Sequence, residues 1–344
     1  MASITIIDIA KMCGVGVTTV SRAINNHPDI SEETKAMIMK VIKENHYVPN
    51  NSARNLKRSA SKTIAVLIKG ITNPFFNRMI KVFDKEIQRK KYSFILQRVD
   101  DNQDEIEVAI ELEKEKRLKG IVFLGGNFSH AKDKLEQLTV PFVLSTIGMT
   151  PGYEPHEYST VSVDDFKESY KMVDYLCKLG HRKIAIITAS MADVSIGRLR
   201  YEGYKQALED NGLELNEKLV GRMKENIESY SMENGYVVTK ELLESGEDFT
   251  ALFAVSDSLA VGACKAIFES GKSVPEDYSV AGFDGLDITF YYNPSITTIR
   301  QPVEEIAEET IKVLYDLINK KITHAHKVFP AELIVRKSTI EPSR

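Results

Sequence analysis

The sequence predicts an α/β protein in two parts: an N-terminal all-α head with a helix-turn-helix pattern, and a larger two-lobed body built on parallel sheets. Three observations predict it. The first fifty residues fall into three short helical stretches separated by loop signals. The rest of the 344 residues alternates short apolar runs with amphipathic helical stretches, in two successive sets. Charge is also divided: residues 1–61 carry eight Lys and Arg against five Asp and Glu, in a chain of net charge −4. The first 61 residues are basic and the rest acidic, as suits a small DNA-binding part that meets phosphate on a body that does not.

In the head, Thr5 is placed to cap a helix that Asp8 closes as in a capping box, with Ile6, Ile9 and Ala10 on its apolar face. Gly14 stops this helix, and a second runs from about Val17 to Asn25. His27-Pro28-Asp29 is a loop, and Ser31 caps a third helix with apolar positions Met37, Ile38, Val41 and Ile42. Pro49 ends the head. Residues 50–61 are polar and basic, with Ala53 and Leu56 as their main apolar positions, and form a linker or a weak helix.

In the body, strands are expected at Thr63–Ile68, Ser93–Leu96, Gly120–Leu124, Pro141–Leu144, Lys183–Ile187, Ala251–Val255, Tyr278–Gly282 and Val328–Val335. Helices are expected at Phe75–Arg89, Asp104–Lys116, Asp165–Leu179, Ile196–Asn211, Met232–Leu243, Leu259–Glu269 and Val303–Ile318. Near-continuous apolar strands between helices belong to parallel sheets covered on both faces. The expected division is a head at 1–49, a hinge at 50–61 and a body at 62–344. Lobe one takes about 62–161 and 295–322, and lobe two about 162–294 and 323–344. A cleft between lobes is a natural ligand site.

Several classes are disfavoured. There is no run of about 18 apolar residues for a membrane span. The N-terminus lacks a basic region followed by an apolar one, so a cytoplasmic protein is expected. Cys13, Cys177 and Cys264 are isolated, which fits reduced thiols better than a disulfide framework or zinc site. No GxSxG, HExxH or Walker A pattern occurs, and Gly125-Gly126-Asn127 is a weak phosphate-loop signal. No catalytic role, cofactor or metal is expected.

The second head helix carries the DNA-reading chemistry. Val20, Ala23 and Ile24 should face inward and Val17, Thr18 and Arg22 outward. A guanidinium can fork onto guanine, a threonine can bond a base edge, and valine methyls can meet thymine. Thr5, Thr19, Ser21, Asn25, Tyr47 and Asn50 suit phosphate oxygens. From spacing alone, a three-helix module that binds protein stays open.

The segments Thr5–Ala10, Gly14–Asn25 and Tyr47–Asn50 resemble the lactose/galactose repressor family. The resemblance continues through Ala53–Leu56, Thr72–Phe76, Gly180–Ile184, Gly282–Asp284 and Thr298–Pro302, in the family's order and over nearly the whole chain. Gly16 stands where the family usually has serine. It implies a homodimeric regulator that binds double-stranded operator DNA, with a periplasmic-binding-protein-like body. It implies a hinge in which Leu56 is the minor-groove wedge, Ala53 faces the partner hinge, and Arg54 and Lys57 meet phosphate or the groove floor. It also implies an effector cleft at Asn73, Phe75, Thr146, Arg200, Ser256 and Asp284. Asp257 is expected as a helix cap, and Tyr291 and Tyr292 as either stacking or core residues. Thr146 replaces an aspartate that many members use for sugar. The effector is therefore left as a sugar, phosphosugar or nucleoside, with a catabolite-control regulator using a phosphorylated carrier protein as the alternative. The dimer face is expected on the helix Phe76–Arg89, through Met79, Ile80 and Phe83. With no heptad tail after Ile340, a dimer is expected rather than a tetramer.

Overall fold

The computed structural model describes residues 5–24, 27, 29–45, 62–70, 73–100, 103–126, 132–148, 158–190 and 196–343. The chain divides into two compact units, Met1–Ser61 and Lys62–Arg344.

In the first unit, α1 (Ile6–Cys13), α2 (Val17–Ile24) and α3 (Glu32–Glu44) close around Ile9, Ala10, Val20, Ala23 and Ile38, all buried. The capping box is present: the Thr5 hydroxyl accepts from the Asp8 amide at 3.4 Å, and the Asp8 carboxylate accepts from the Thr5 amide at 2.9 Å. Each bond satisfies a donor the helix start would otherwise leave unpaired. Ser31 caps α3 by accepting from the Thr34 amide at 3.2 Å. Met37, placed on the apolar face of α3 by its spacing, is exposed, and Ile38 alone on that helix is fully buried.

The second unit opens with β1 (Thr63–Lys69), α4 (Pro74–Arg89), β2 (Ser93–Val99), α5 (Glu105–Lys116), β3 (Gly120–Leu124), α6 (Lys132–Leu135), β4 (Phe142–Ser145) and β5 (Ser159–Val163). It continues with α7 (Asp165–Lys178), β6 (Ile184–Thr188), α8 (Ile196–Asp210), β7 (Val220–Arg222), α9 (Met232–Glu244), β8 (Ala251–Ala254), α10 (Asp257–Glu269), β9 (Ser279–Asp284) and α11 (Asp287–Tyr291). It ends with β10 (Thr297–Arg300), α12 (Val303–Ile318), β11 (His326–Phe329) and β12 (Glu332–Ile334).

Two six-stranded sheets result, ordered β11-β5-β4-β3-β1-β2 and β12-β10-β9-β8-β6-β7. The first is parallel throughout, and the second has one antiparallel pair, β10 with β12. Its central strands β6, β8 and β9 are fully buried, as expected of strands covered on both faces.

The lobe boundaries need correction. Residues 297–300, assigned to lobe one, form β10 of the second sheet, while 326–329, assigned to lobe two, form β11 of the first. The single closing strand expected at 328–335 is two short strands in different sheets, parted by Pro330 and Ala331. The chain therefore passes between the lobes three times: after β5, after β10 and after β11. The third passage is tied down by α7, where the Glu168 carboxylate accepts from the Ala331 amide at 3.2 Å and Lys171 donates to the Ala331 carbonyl at 2.8 Å.

The three residues named for the dimer face are not exposed. Met79 and Phe83 are completely buried and Ile80 is packed against the same core. The apolar stripe of α4 faces the body's own core, and α12 lies against it.

Candidate functional site

On the head, α2 buries Val20 and Ala23 and leaves Val17, Thr18 and Arg22 exposed, with Thr19 and Ser21 half-buried. That division follows from one inward stripe on a helix of 3.6 residues per turn. The Gly16 carbonyl accepts from the amides of Thr19 at 2.9 Å and Val20 at 3.2 Å, so the first turn of α2 closes without a serine cap. No carboxylate lies within ion-pair distance of Arg22 among the described residues. The first two turns thus present a methyl pair, a hydroxyl and a guanidinium outward, the groups that read base edges in a major groove. Thr5 is exposed, but its hydroxyl already donates to Asp8 at 2.7 Å. Asn25, Tyr47, Asn50, Ala53, Arg54, Leu56 and Lys57 lie outside the described residues.

In the body, the carboxyl ends of the parallel strands gather the polar groups. Arg200 of α8 is 2 % exposed and lies at the centre of a buried network. Its Nε and Nη2 each lie 2.8 Å from Asp165 Oδ1, its Nη1 donates to the Val255 carbonyl at 2.5 Å, and Nη1 lies 3.5 Å from Asp284 Oδ1. The guanidinium stacks over Phe283, 3.6 Å from the ring centre. Gln301 donates to Asp284 at 2.9 Å. Burial alone would depress the Arg200 guanidinium, but Asp165 and then Asp284 outweigh it and hold the charge. Burial pushes Asp284 up to about 6, against the pull of Arg200 and Gln301, and lifts Asp165 in the same direction.

Asp257 and Ser256 exchange the roles their sequence suggests. Ser256 caps α10, accepting from the Leu259 amide at 3.3 Å. Asp257 is the first helical residue, wholly buried, accepting from the Thr298 hydroxyl at 2.6 Å and the Leu286 amide at 2.7 Å. Burial, then the charge of Asp284, raise it well above the usual carboxylate range. A serine oxygen satisfies the helix start, which frees the aspartate to brace the loop after β9.

In the first lobe, Thr146 follows β4 at φ 68°, 6 % exposed, its amide donating to the Val161 carbonyl at 2.9 Å. Asn73 caps α4 by accepting from the Phe75 amide at 3.0 Å. Phe75 is 3 % exposed and packs edge-on against Phe76, with 5.6 Å between ring centres. Asn73 and Phe75 serve helix and core, as the Ser256 hydroxyl serves the start of α10, while Thr146, Arg200 and Asp284 are buried polar groups at the strand ends. Arg198 is exposed, Tyr291 strongly so, and Tyr292 packs against the core. Asp165 and Gln301 escaped the sequence reading. Asp165 follows Asp164, which caps α7 through the Lys167 amide at 3.0 Å, so the pair reads as one capping signal. Gln301 sits inside the Thr298–Pro302 motif, where only its contact with Asp284 reveals its part.

The model of bacterial regulatory proteins of the lacI family matches residues 5–50, and the model of a periplasmic binding protein-like domain matches residues 173–339. The chain is 40% identical over 333 residues to the HTH-type transcriptional regulator MalR of Clostridium butyricum, covering 96% of this chain and 98% of that protein. It is 31% identical over 336 residues to the HTH-type transcriptional repressor PurR of Pasteurella multocida, covering 97% and 98%. The solved complex of the transcriptional regulator CelR with cellobiose is similar in fold, with a TM-score of 0.72, 27% identity, and 97% and 99% of the two chains covered. With a reading helix on the head, two lobes in the body and end-to-end likeness to these regulators, the chain belongs to the lacI family of bacterial regulatory proteins.

Proposed function

We propose that this protein is a homodimeric, sequence-specific repressor of carbohydrate-related genes, whose operator affinity is set by a small sugar-like effector held between the lobes of the body. The observation that carries it is the exposed set Val17, Thr18 and Arg22 on α2, in a chain whose body gathers buried polar groups at its strand ends. Ligands of open α/β sheets bind at that edge. Two heads on a symmetric dimer would each take one half-site of a pseudo-palindromic operator. The three passages between lobes act as the hinge through which ligand alters the body, and so couples to DNA binding. The sugar-binding sense is supported by the likeness to a regulator solved with cellobiose.

The test is a mobility-shift titration of the full chain on promoter fragments of carbohydrate operons, with and without candidate sugars. One sugar should change the affinity for a specific fragment by about 5- to 150-fold, the usual span of such coupling. Binding that no sugar changes, or that does not distinguish promoter from random duplex, would contradict the proposal.

A further inference from the structure

Buried carboxylates fasten each passage between the lobes. Asp165 follows β5 at the first passage. Gln301 follows β10 at the second, and Asp284 holds it twice. The Asp284 carboxylate accepts from the Gln301 side chain at 2.9 Å, and its carbonyl accepts from the Gln301 backbone amide at 3.2 Å. At the third passage Glu168 binds the Ala331 amide, with Lys171 as its own cation. The first two passages have no such balance. Asp165 from α7, Asp257 from α10 and Asp284 from β9 gather around one guanidinium, that of Arg200 from α8, and all four residues are buried. Asp165 Oδ1 takes the two close contacts of Arg200, each 2.8 Å, while Asp284 lies 3.5 Å away. Asp257 feels the charge of Asp284 and has no cation within ion-pair distance among the described residues. Arg336, after β12, acts on it from beyond that distance. The other titratable neighbours add no positive charge: Asp164 and Glu168 lie beside Asp165, and Tyr230 faces Arg200.

With all three carboxyls ionised, the cluster would hold two surplus negative charges away from water, a cost that protonation removes. Asp165 Oδ2, buried without a hydrogen-bond partner among the described residues, is a second mark of that surplus. Geometry selects the carboxyl at which the proton exchanges. Asp165 keeps the guanidinium. Asp257, lacking a close cation, is lifted well above the usual carboxylate range. Asp284 stands between them, pushed up to about 6. Once neutral, it no longer repels Asp257 and Asp165, yet it keeps both bonds to Gln301, because a protonated carboxyl still accepts through its carbonyl oxygen.

We infer that the hinge of the body is a proton switch: protonation of Asp284 tightens the first two passages in the arrangement seen here, and its ionisation loosens them. A fall in pH then biases the regulator through the hinge that also carries the response to effector. This rests on the hinge role proposed above and adds a second input to it.

The experiment compares the full chain with Asp284→Asn, a neutral isostere of the protonated side chain, at pH 7.5 and pH 5. The folded carboxyl titrates at about 6 and the unfolded one at its ordinary 3.8, so ionisation costs stability progressively between these values and the loss is complete above them. In urea unfolding, Asp284→Asn should favour the folded body by about 100-fold over the wild type at pH 7.5, and by about ten times less at pH 5. Hydrogen exchange at pH 7.5 should be slower in the variant at residues 163–166 and 299–303, which a general gain in core stability would not single out. An Asp284→Asn chain that fails to fold or is less stable at pH 7.5, an equal gap at both pH values, or unchanged exchange at those two segments would each overturn the inference. With a duplex selected from a random library, the affinity of the wild type should change between pH 5 and pH 7.5 by more than that of the variant. The expected unfolding and exchange without that change would support the switch and contradict the role of the hinge in DNA binding.

Discussion

His181 shows how one side chain can fasten a terminus. It is 1 % exposed at the amino-end edge of the second sheet, with Nδ1 2.8 Å from the Thr250 hydroxyl and Nε2 3.0 Å from the Ile340 carbonyl. A carbonyl only accepts, so Nε2 carries the hydrogen and Nδ1 accepts from Thr250. Burial depresses the imidazole below its ordinary 6.5, although the Ile340 bond opposes this. The folded chain therefore resists a proton that the unfolded chain takes up as pH falls below 6.5. The stabilisation from His181 is present above that pH and is lost below it. His181→Ala should cost about 1–3 kcal/mol at pH 7.5, and urea unfolding should show the difference shrinking at pH 5.5. Arg200 and Asp284 were legible in the sequence through their motifs, and Thr146 through its position after a strand. Their chemistry was not legible, because Arg200 meets Asp165 across 35 residues and Asp284 meets Gln301 across 17. No local pattern records which partner consumes a charge.

At the scale of elements, the second lobe depends on helices packed closely enough to exclude a methyl group. A Cβ on Gly262 of α10 would lie 1.9 Å from the Met232 carbonyl at the start of α9, and one on Gly235 would lie 2.2 Å from the Leu259 carbonyl. Backbone cannot step aside as a side chain can, so Gly262→Ala should destabilise the body by about 3 kcal/mol or more. Gly246 serves as a control. Its φ is +75° with nothing within 4 Å of an added Cβ, and Gly246→Ala should cost only ~1–2 kcal/mol by strain. Equal losses in the two variants, measured by urea unfolding, would contradict this packing account. Most elements could be read from hydrophobic period and capping, and the strands β1, β3, β6 and β8 fall within a residue or two of expectation. The failures have separate causes. The strands β11 and β12 are four and three residues long and belong to different sheets, too short for alternation to show the break at Pro330. The apolar stripe of α4 announced burial without saying against what, so Met79 and Phe83 read equally well as dimer face and as core.

For the whole molecule, the division of charge and surface matches a division of labour. Residues 1–61 are net positive and their head exposes a few base-reading side chains, whereas the acidic body buries its polar groups in a network closed around one arginine. If Arg22 forks onto a guanine, Arg22→Ala should weaken specific operator binding by about 10- to 100-fold and relax preference at one base per half-site. Affinity for random duplex, carried by phosphate contacts, should change far less. Comparable losses on both duplexes in fluorescence-anisotropy titrations would place Arg22 on the backbone instead.

The measurement that tests the central claim most directly is selection of binding sites from a random duplex library by the full chain. A repressor with paired reading helices should enrich a pseudo-palindrome of two like half-sites. Failure of the library to converge, or convergence on one asymmetric site, would contradict the account.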